Sequence, residues 1–147
     1  MTKISEIVKD TISLLLFEHA ILRVRLPLLL KLKEDDLWKE FELLHNFIVN
    51  SHARVEDVVV FPLIKQEIVK PYANDHLLIK NYGDGILKEK RKDWVERYVK
   101  IVLDHNKGEE INVFPSLKEN IELEPSIKLI KEFGNEKYYY ITGLELP

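Results

Sequence analysis

The segment HARVEDVVVFP at 52–62 returns in outline at 105–115 as HNKGEEINVFP. Both copies set a His and a Glu four residues apart and close on Val-Phe-Pro. Aligned, His52 matches His105, Glu56 matches Glu109, Lys65 matches Lys118 and Ile68 matches Ile121. A looser match precedes each copy, His19 in FEHAILR against His76 in NDHLLIK. The chain reads as one helical hairpin written twice. The period is too long and the copies too few for a solenoid.

The apolar residues between these landmarks recur at helical spacing. Val8, Ile12, Leu15, His19, Leu22 and Leu26 share a face and predict a helix over about 4–32, with Pro27 bending it or marking its final turns. Asp36 is a candidate N-cap for a second helix to about 69, kinked at Pro62, with Leu37, Phe41, Leu44, Ile48, His52, Val55 and Val59 inward. Pro71 is expected to break the chain before a third helix from about 73, in which Gly83 and Gly85 each cost about 1 kcal/mol relative to Ala. Asp93 and Glu96 form a capping pattern for a fourth helix that ends near Asn120. The expected fold is all-α, an up-down-up-down four-helix bundle over 1–122. The extension 123–147 holds a short helix ended by Gly134, then an aromatic tail that packs on the bundle or on a second subunit to form a homo-oligomer.

Composition narrows the function. Charged residues make up 32% of the chain with both signs mixed and a net charge of −3, so no basic stripe points to nucleic acid. The most apolar stretch, 12–30, is interrupted by Glu18, His19, Arg23 and Arg25, which argues against a membrane span. The first residues lack the pattern of a secretory signal, and a cytoplasmic protein is expected. With no Cys, neither a disulfide nor a thiolate metal site can form.

Folding the two hairpins together points four histidines and two glutamates at one axis. His and Glu at i and i+4 lie on one helical face. Two unpaired carboxylates in a bundle core would be costly, and a dication bound to both of them and to the imidazoles removes that cost. Imidazole and carboxylate without thiolate suit iron, with manganese and zinc as alternatives. Two carboxylates able to bridge suit a pair of metals better than one.

On EHAIL, HARVEDVVVFP, DHLLI and HNKGEEINVFP, in that order, the sequence resembles the hemerythrin-like family of HHE cation-binding domains over about 10–120. The resemblance implies a non-haem di-iron centre with bridging carboxylates and an oxo or hydroxo bridge. His19, His52, Glu56, His76, His105 and Glu109 are the matching ligands. It also implies binding of dioxygen or a related small ligand, or of iron itself, for sensing, storage or protection. A di-iron oxidase or peroxidase is the enzymatic alternative, and a structural bundle stabilised by metal is the second. Oxygen carriers of the family have a further ligand His one turn before the position of His76, where this chain has Tyr72. Two six-coordinate irons offer about twelve positions and these ligands with one bridging oxygen fill about ten, leaving about two for water, a substrate or Tyr72.

The remaining polar residues of this region have plainer expectations. His45, two turns before His52, is too far along the helix to share an ion with it and is expected in a supporting or core role. Asp57 and Glu110 are turned about 100° from the adjacent glutamates and are expected to face solvent. Phe61 and Phe114 repeat with the ligands and are expected either to wall the site or to serve as ordinary core packing. Gly83 leaves room for either a ligand channel or close helix packing.

Overall fold

The computed structural model describes residues 1–147. The fold is all-α, and its only β contacts are isolated bridges between Lys3 and Glu145 and between Asp10 and Glu122. A one-turn helix, α1 (Ile4–Ile7), is separated from α2 (Thr11–Leu28), so the single helix expected from residue 4 is broken at Val8–Asp10. The break follows from a capping box. Asp10 Oδ1 accepts from the Ser13 backbone N–H at 2.8 Å, while Ser13 Oγ accepts from the Asp10 N–H at 3.2 Å. Pro27 lies in the last turn of α2, which tightens into a 3₁₀ turn over Leu29–Lys31.

The second rod begins with α3 (Glu34–Phe47), whose N-cap is Lys33, so it starts three residues earlier than an Asp36 cap would allow. Glu34, Asp35 and Asp36 all fall in its first turn, where negative charge suits the helix dipole. The rod continues through a π turn (Ile48–His52), α4 (Ala53–Val55), a second π turn (Glu56–Val60) and a 3₁₀ turn (Phe61–Leu63). Pro62 ends this rod where a kink was expected, and Ile64 is already extended at φ −121° and ψ 153°. The third helix, α5 (Gln66–Glu89), therefore starts before the expected position and carries Pro71 inside its second turn. It stops at Lys90, which takes the left-handed conformation at φ 54°.

A 3₁₀ turn (Lys92–Trp94) leads into α6 (Val95–Gly108). Asp93 does not cap it, since its carboxylate accepts from Arg91 Nε and Nη2 at 3.1 and 3.0 Å. This rod closes as the second one does, with a π turn (Glu109–Val113) and a 3₁₀ turn at Phe-Pro (Phe114–Ser116), short of the expected Asn120. The duplication is thus repeated in the backbone. The extension forms α7 (Glu124–Phe133), ended by Gly134 at φ 127°, and α8 (Asn135–Thr142), so the aromatic tail is helical.

The rods α5 and α6 pack together, α6 lies against α2, and α8 rests on both α2 and α3. The core runs through Leu14, Leu15 and Leu22 of α2, Phe41 and Leu44 of α3, and Tyr98 and Val102 of α6. The extension is tied down by a 2.6 Å hydrogen bond between the Thr11 and Ser126 hydroxyls. Arg25 Nη1 also donates to the carbonyls of Tyr140 and Ile141 at 3.1 and 3.0 Å. No helix is long and apolar enough to cross a membrane.

Candidate metal centre

The four rods each bring one imidazole to the same level of the bundle. His19 comes from the middle of α2, His52 from the end of the first π turn, His76 from α5 and His105 from the last turn of α6. Glu56 and Glu109 open the π turns that follow. Single π turns inside α-helices are a common feature of functional sites, since they swing side chains off the regular helical face. All of these side chains are buried, His76 the least so.

Two donor sets result, one of His19, His52, Glu56 and Glu109 and the other of His76, His105, Glu56 and Glu109. Within each set one donor atom per residue lies within 4.8 Å of the others. Both glutamates belong to both sets. Glu56 Oε2 is 3.2 Å from His52 Nε2 and its Oε1 is 2.9 Å from His76 Nε2. Glu109 Oε1 is 3.3 Å from His19 Nε2 and its Oε2 is 3.2 Å from His105 Nε2. Each carboxylate therefore spans from one imidazole pair to the other.

Every one of the four imidazoles is held from behind by a carboxylate. His52 Nδ1 donates to Glu18 at 2.8 Å and His105 Nδ1 to Asp75 at 2.9 Å. His19 Nδ1 donates to Glu110 at 2.8 Å and His76 Nδ1 to Asp57 at 2.9 Å. A proton fixed on Nδ1 leaves the Nε2 lone pair for a cation, the usual arrangement of ligand histidines. Asp57 faces solvent as expected and Glu110 does so in part, yet both also belong to this outer ring, and Arg23 Nη1 donates to Glu110 at 3.0 Å. The ring obeys the duplication, Glu18 answering to Asp75 and Asp57 to Glu110. The signal for it in the sequence is an acid immediately before His19 and His76 and immediately after Glu56 and Glu109.

The electrostatics express how strongly the groups depend on one another. Burial alone lowers each imidazole pKa. Glu109 and Glu56 more than offset this for His19, while Glu56 and Glu18 raise His52 to about 10. Asp57, Glu109 and Glu56 likewise carry His76 to about 12 against the effect of burial, and Glu109 and Glu56 raise His105. Burial favours the neutral form of Glu56, but His52, His19 and His76 hold it well below the usual carboxylate range. His19 Nε2 and His52 Nε2 are 3.0 Å apart, so only one proton fits between them. A cation would accept both lone pairs.

The donor groups fit a bound metal cation on a further observation. Glu56 Oε2, both oxygens of Glu109 and His105 Nε2 are buried without a hydrogen-bond partner. Buried polar atoms are almost always partnered, and four orphans converging on one place call for a cation. Phe61 stacks on His76 with ring centroids 5.4 Å apart, and Phe114 on His19 at 5.7 Å, so the repeated phenylalanines wall the site. A cavity of about 280 Å³ reaches His52, His76 and His105, with exposed Leu77 and Lys80 among its lining.

The other residues singled out in the sequence lie off the donor sets. His45 donates or accepts at Tyr98 Oη (2.7 Å) and Asp84 (2.9 Å), and its ring fills the space beside Gly83, which therefore opens no channel. Burial lowers the His45 pKa despite Asp84. Tyr72 turns its hydroxyl to Asn112, whose Nδ2 donates to it at 2.8 Å. Tyr138 of α8 lay outside any functional reading of the sequence, yet it donates to Glu18 Oε2 at 2.8 Å. Burial, with Glu18 beside it, holds the Tyr138 phenol well above its usual range, so it remains a donor.

A helical bundle with a buried ring of imidazoles around shared carboxylates defines the class of cation-binding bundles. The chain belongs to the hemerythrin family, since the model of the hemerythrin HHE cation binding domain matches residues 10–118. That match takes in all six inner residues and stops before α7. No curated protein and no solved structure matches the chain.

Proposed function

We propose that the protein holds two iron ions and binds dioxygen or a related small ligand, or stores iron itself, for sensing, storage or protection. His19 and His52 would hold one ion and His76 and His105 the other, with Glu56 and Glu109 available to both. The observation that carries this reading is the presence of both glutamates in both donor sets. Iron suits an imidazole and carboxylate donor set and supplies redox change and open positions when bound. Manganese and zinc share the ligand preference.

The chain's own part is positioning and exclusion. The outer carboxylates keep the Nδ1 protons and aim the Nε2 atoms inward, while Phe61 and Phe114 keep bulk water from the imidazole faces. The cavity beside His52, His76 and His105 has room for a diatomic ligand. The 1–122 region carries all of these inner groups as the bundle, and 123–147 is an extension that packs upon it. Anaerobic loading with ferrous iron, elemental analysis and then admission of air under optical observation tests the proposal. Two irons per chain and a near-ultraviolet change on air are expected. One iron or none would remove the dinuclear reading.

A further inference from the structure

The duplication is broken twice in the outer ring: Arg23 reaches Glu110 but no second side chain reaches Asp57, and the carboxylates behind His52 and His105 differ more sharply. Glu18 and Asp75 play matching parts, one behind His52 and the other behind His105. Asp75 has 39% of its side chain exposed, whereas Glu18 is fully buried. Only Glu18 has a second donor, the Tyr138 hydroxyl, which reaches its other oxygen at 2.8 Å. Tyr138 is itself buried and lies on α8, outside the residues 10–118 that the family shares. The same extension seals that half of the site. Phe47 stands between the Phe133, Tyr138 and His52 rings, at centroid distances of 6.0, 6.1 and 6.3 Å, and α7 packs on the π turn that ends in His52. No ring of the extension stacks toward His76 or His105, and the cavity, which reaches both of these and one side of His52, is bounded by no residue of the extension.

A buried carboxylate with both oxygens engaged cannot swing, and the imidazole it holds cannot turn. Removing the Tyr138 hydroxyl leaves a buried oxygen without a partner and frees Glu18 to reorient. We propose that Tyr138 is a positioning residue for the ion held by His19 and His52, acting through Glu18. The extension thereby makes the two ion positions unequal, and the His19/His52 position gives up its ion last. This rests on the dinuclear reading above.

The test is release of iron from protein loaded anaerobically with ferrous iron, followed with a coloured ferrous chelator. Wild-type protein carrying two irons is expected to lose them in two phases of equal amplitude. Tyr138→Phe should speed the slow phase about tenfold, the lower end of the effect of disturbing a ligand's hydrogen-bond partner, and leave the fast phase alone. Asp75→Asn should speed only the fast phase. Glu18→Gln keeps the side chain's size and should act as Tyr138→Phe does, and the double variant should release no faster than the faster single one. The Glu18→Gln single variant carries the test if Tyr138→Phe does not fold. A purely structural Tyr138 would lower melting of the unloaded protein and speed both phases alike. That result, an unchanged slow phase in Tyr138→Phe, or one release phase from wild-type protein holding two irons would overturn the proposal. A wild-type content below two irons would overturn the dinuclear reading, and this inference with it.

Discussion

The His45 imidazole occupies the space that a side chain on Gly83 would need. Both ring nitrogens are engaged, one with Tyr98 and one with Asp84, so the ring cannot turn aside. A glycine inside α5 normally loses about 1 kcal/mol to alanine in helix propensity. Here Gly83→Ala is expected to destabilise by about 1–3 kcal/mol, because overpacking a fixed ring outweighs that gain. His45→Ala should leave iron content unchanged while melting falls, and Gly83→Ala in that background should cost much less than alone. A lost iron in His45→Ala would make His45 part of the metal centre.

Glu56 and Glu109 are separated from solvent and stand between the two imidazole pairs. Replacing either with alanine should weaken both ion positions together. Bound ligand stabilises a fold by mass action, so a site weakened from 100 times saturating to negligible occupancy forfeits about 2.7 kcal/mol. Melting should therefore fall more in iron-loaded than in unloaded protein. Calorimetry showing equal losses in both forms would assign the glutamates to the fold alone.

Much of this was legible before folding. Helical periodicity and the doubled His-x₃-Glu pattern point to a bundle with six inward groups, and the donor sets contain those six residues. The outer ring escaped because each acid is adjacent in sequence to one inner residue but serves an imidazole on a different rod. Asp57 follows Glu56 and holds His76, so its role depends on which rods are neighbours. Single-face periodicity discards such residues as solvent-facing. The break at Val8–Asp10 was hidden for a related reason, since Val8 stays buried and in phase although its backbone is extended. Tyr138 is an aromatic among aromatics until the packing of α8 brings it to Glu18.

Tyr72 stands one turn before His76, where a third imidazole would be placed in an oxygen carrier of the family. Its ring lies against Gly108, where a Cβ would come within 2.8 Å of Tyr72 Cε1, and its hydroxyl accepts from Asn112. These contacts turn its hydroxyl toward α6, while its ring packs beside the His105 ring at a centroid distance of 5.8 Å without offering the hydroxyl to the donor sets. Tyr72→Phe is expected to keep the iron content and to cost no more than about 0.5–1.5 kcal/mol, the net value of one hydrogen bond. Elemental analysis and melting of the purified variant check this. Loss of an iron would give the phenol a ligand's role.

Protons and cations compete for the same nitrogens, and this gives the unloaded protein a distinctive pH dependence. Folding raises His52 to about 10 and His76 to about 12, and His19 and His105 also move upward. An unfolded chain returns these groups to about 6.5. Between 6.5 and 10 the folded form therefore holds more protons than the unfolded one. Its stability is complete below about 6.5 and declines as pH rises through the folded values. Glu56, depressed by the imidazoles, acts at the other end, where its contribution is lost as pH falls below the usual carboxylate range. Iron binding displaces the imidazole protons and so strengthens over the interval in which the unloaded protein weakens. The gap in melting temperature between loaded and unloaded protein should widen from about pH 6.5 to 9, with protons released on loading. Calorimetric melts of both forms across that range, with proton release followed by indicator dye, provide the measurement. An unloaded protein that gains stability toward pH 9 would show that the imidazoles are not held by these carboxylates in solution.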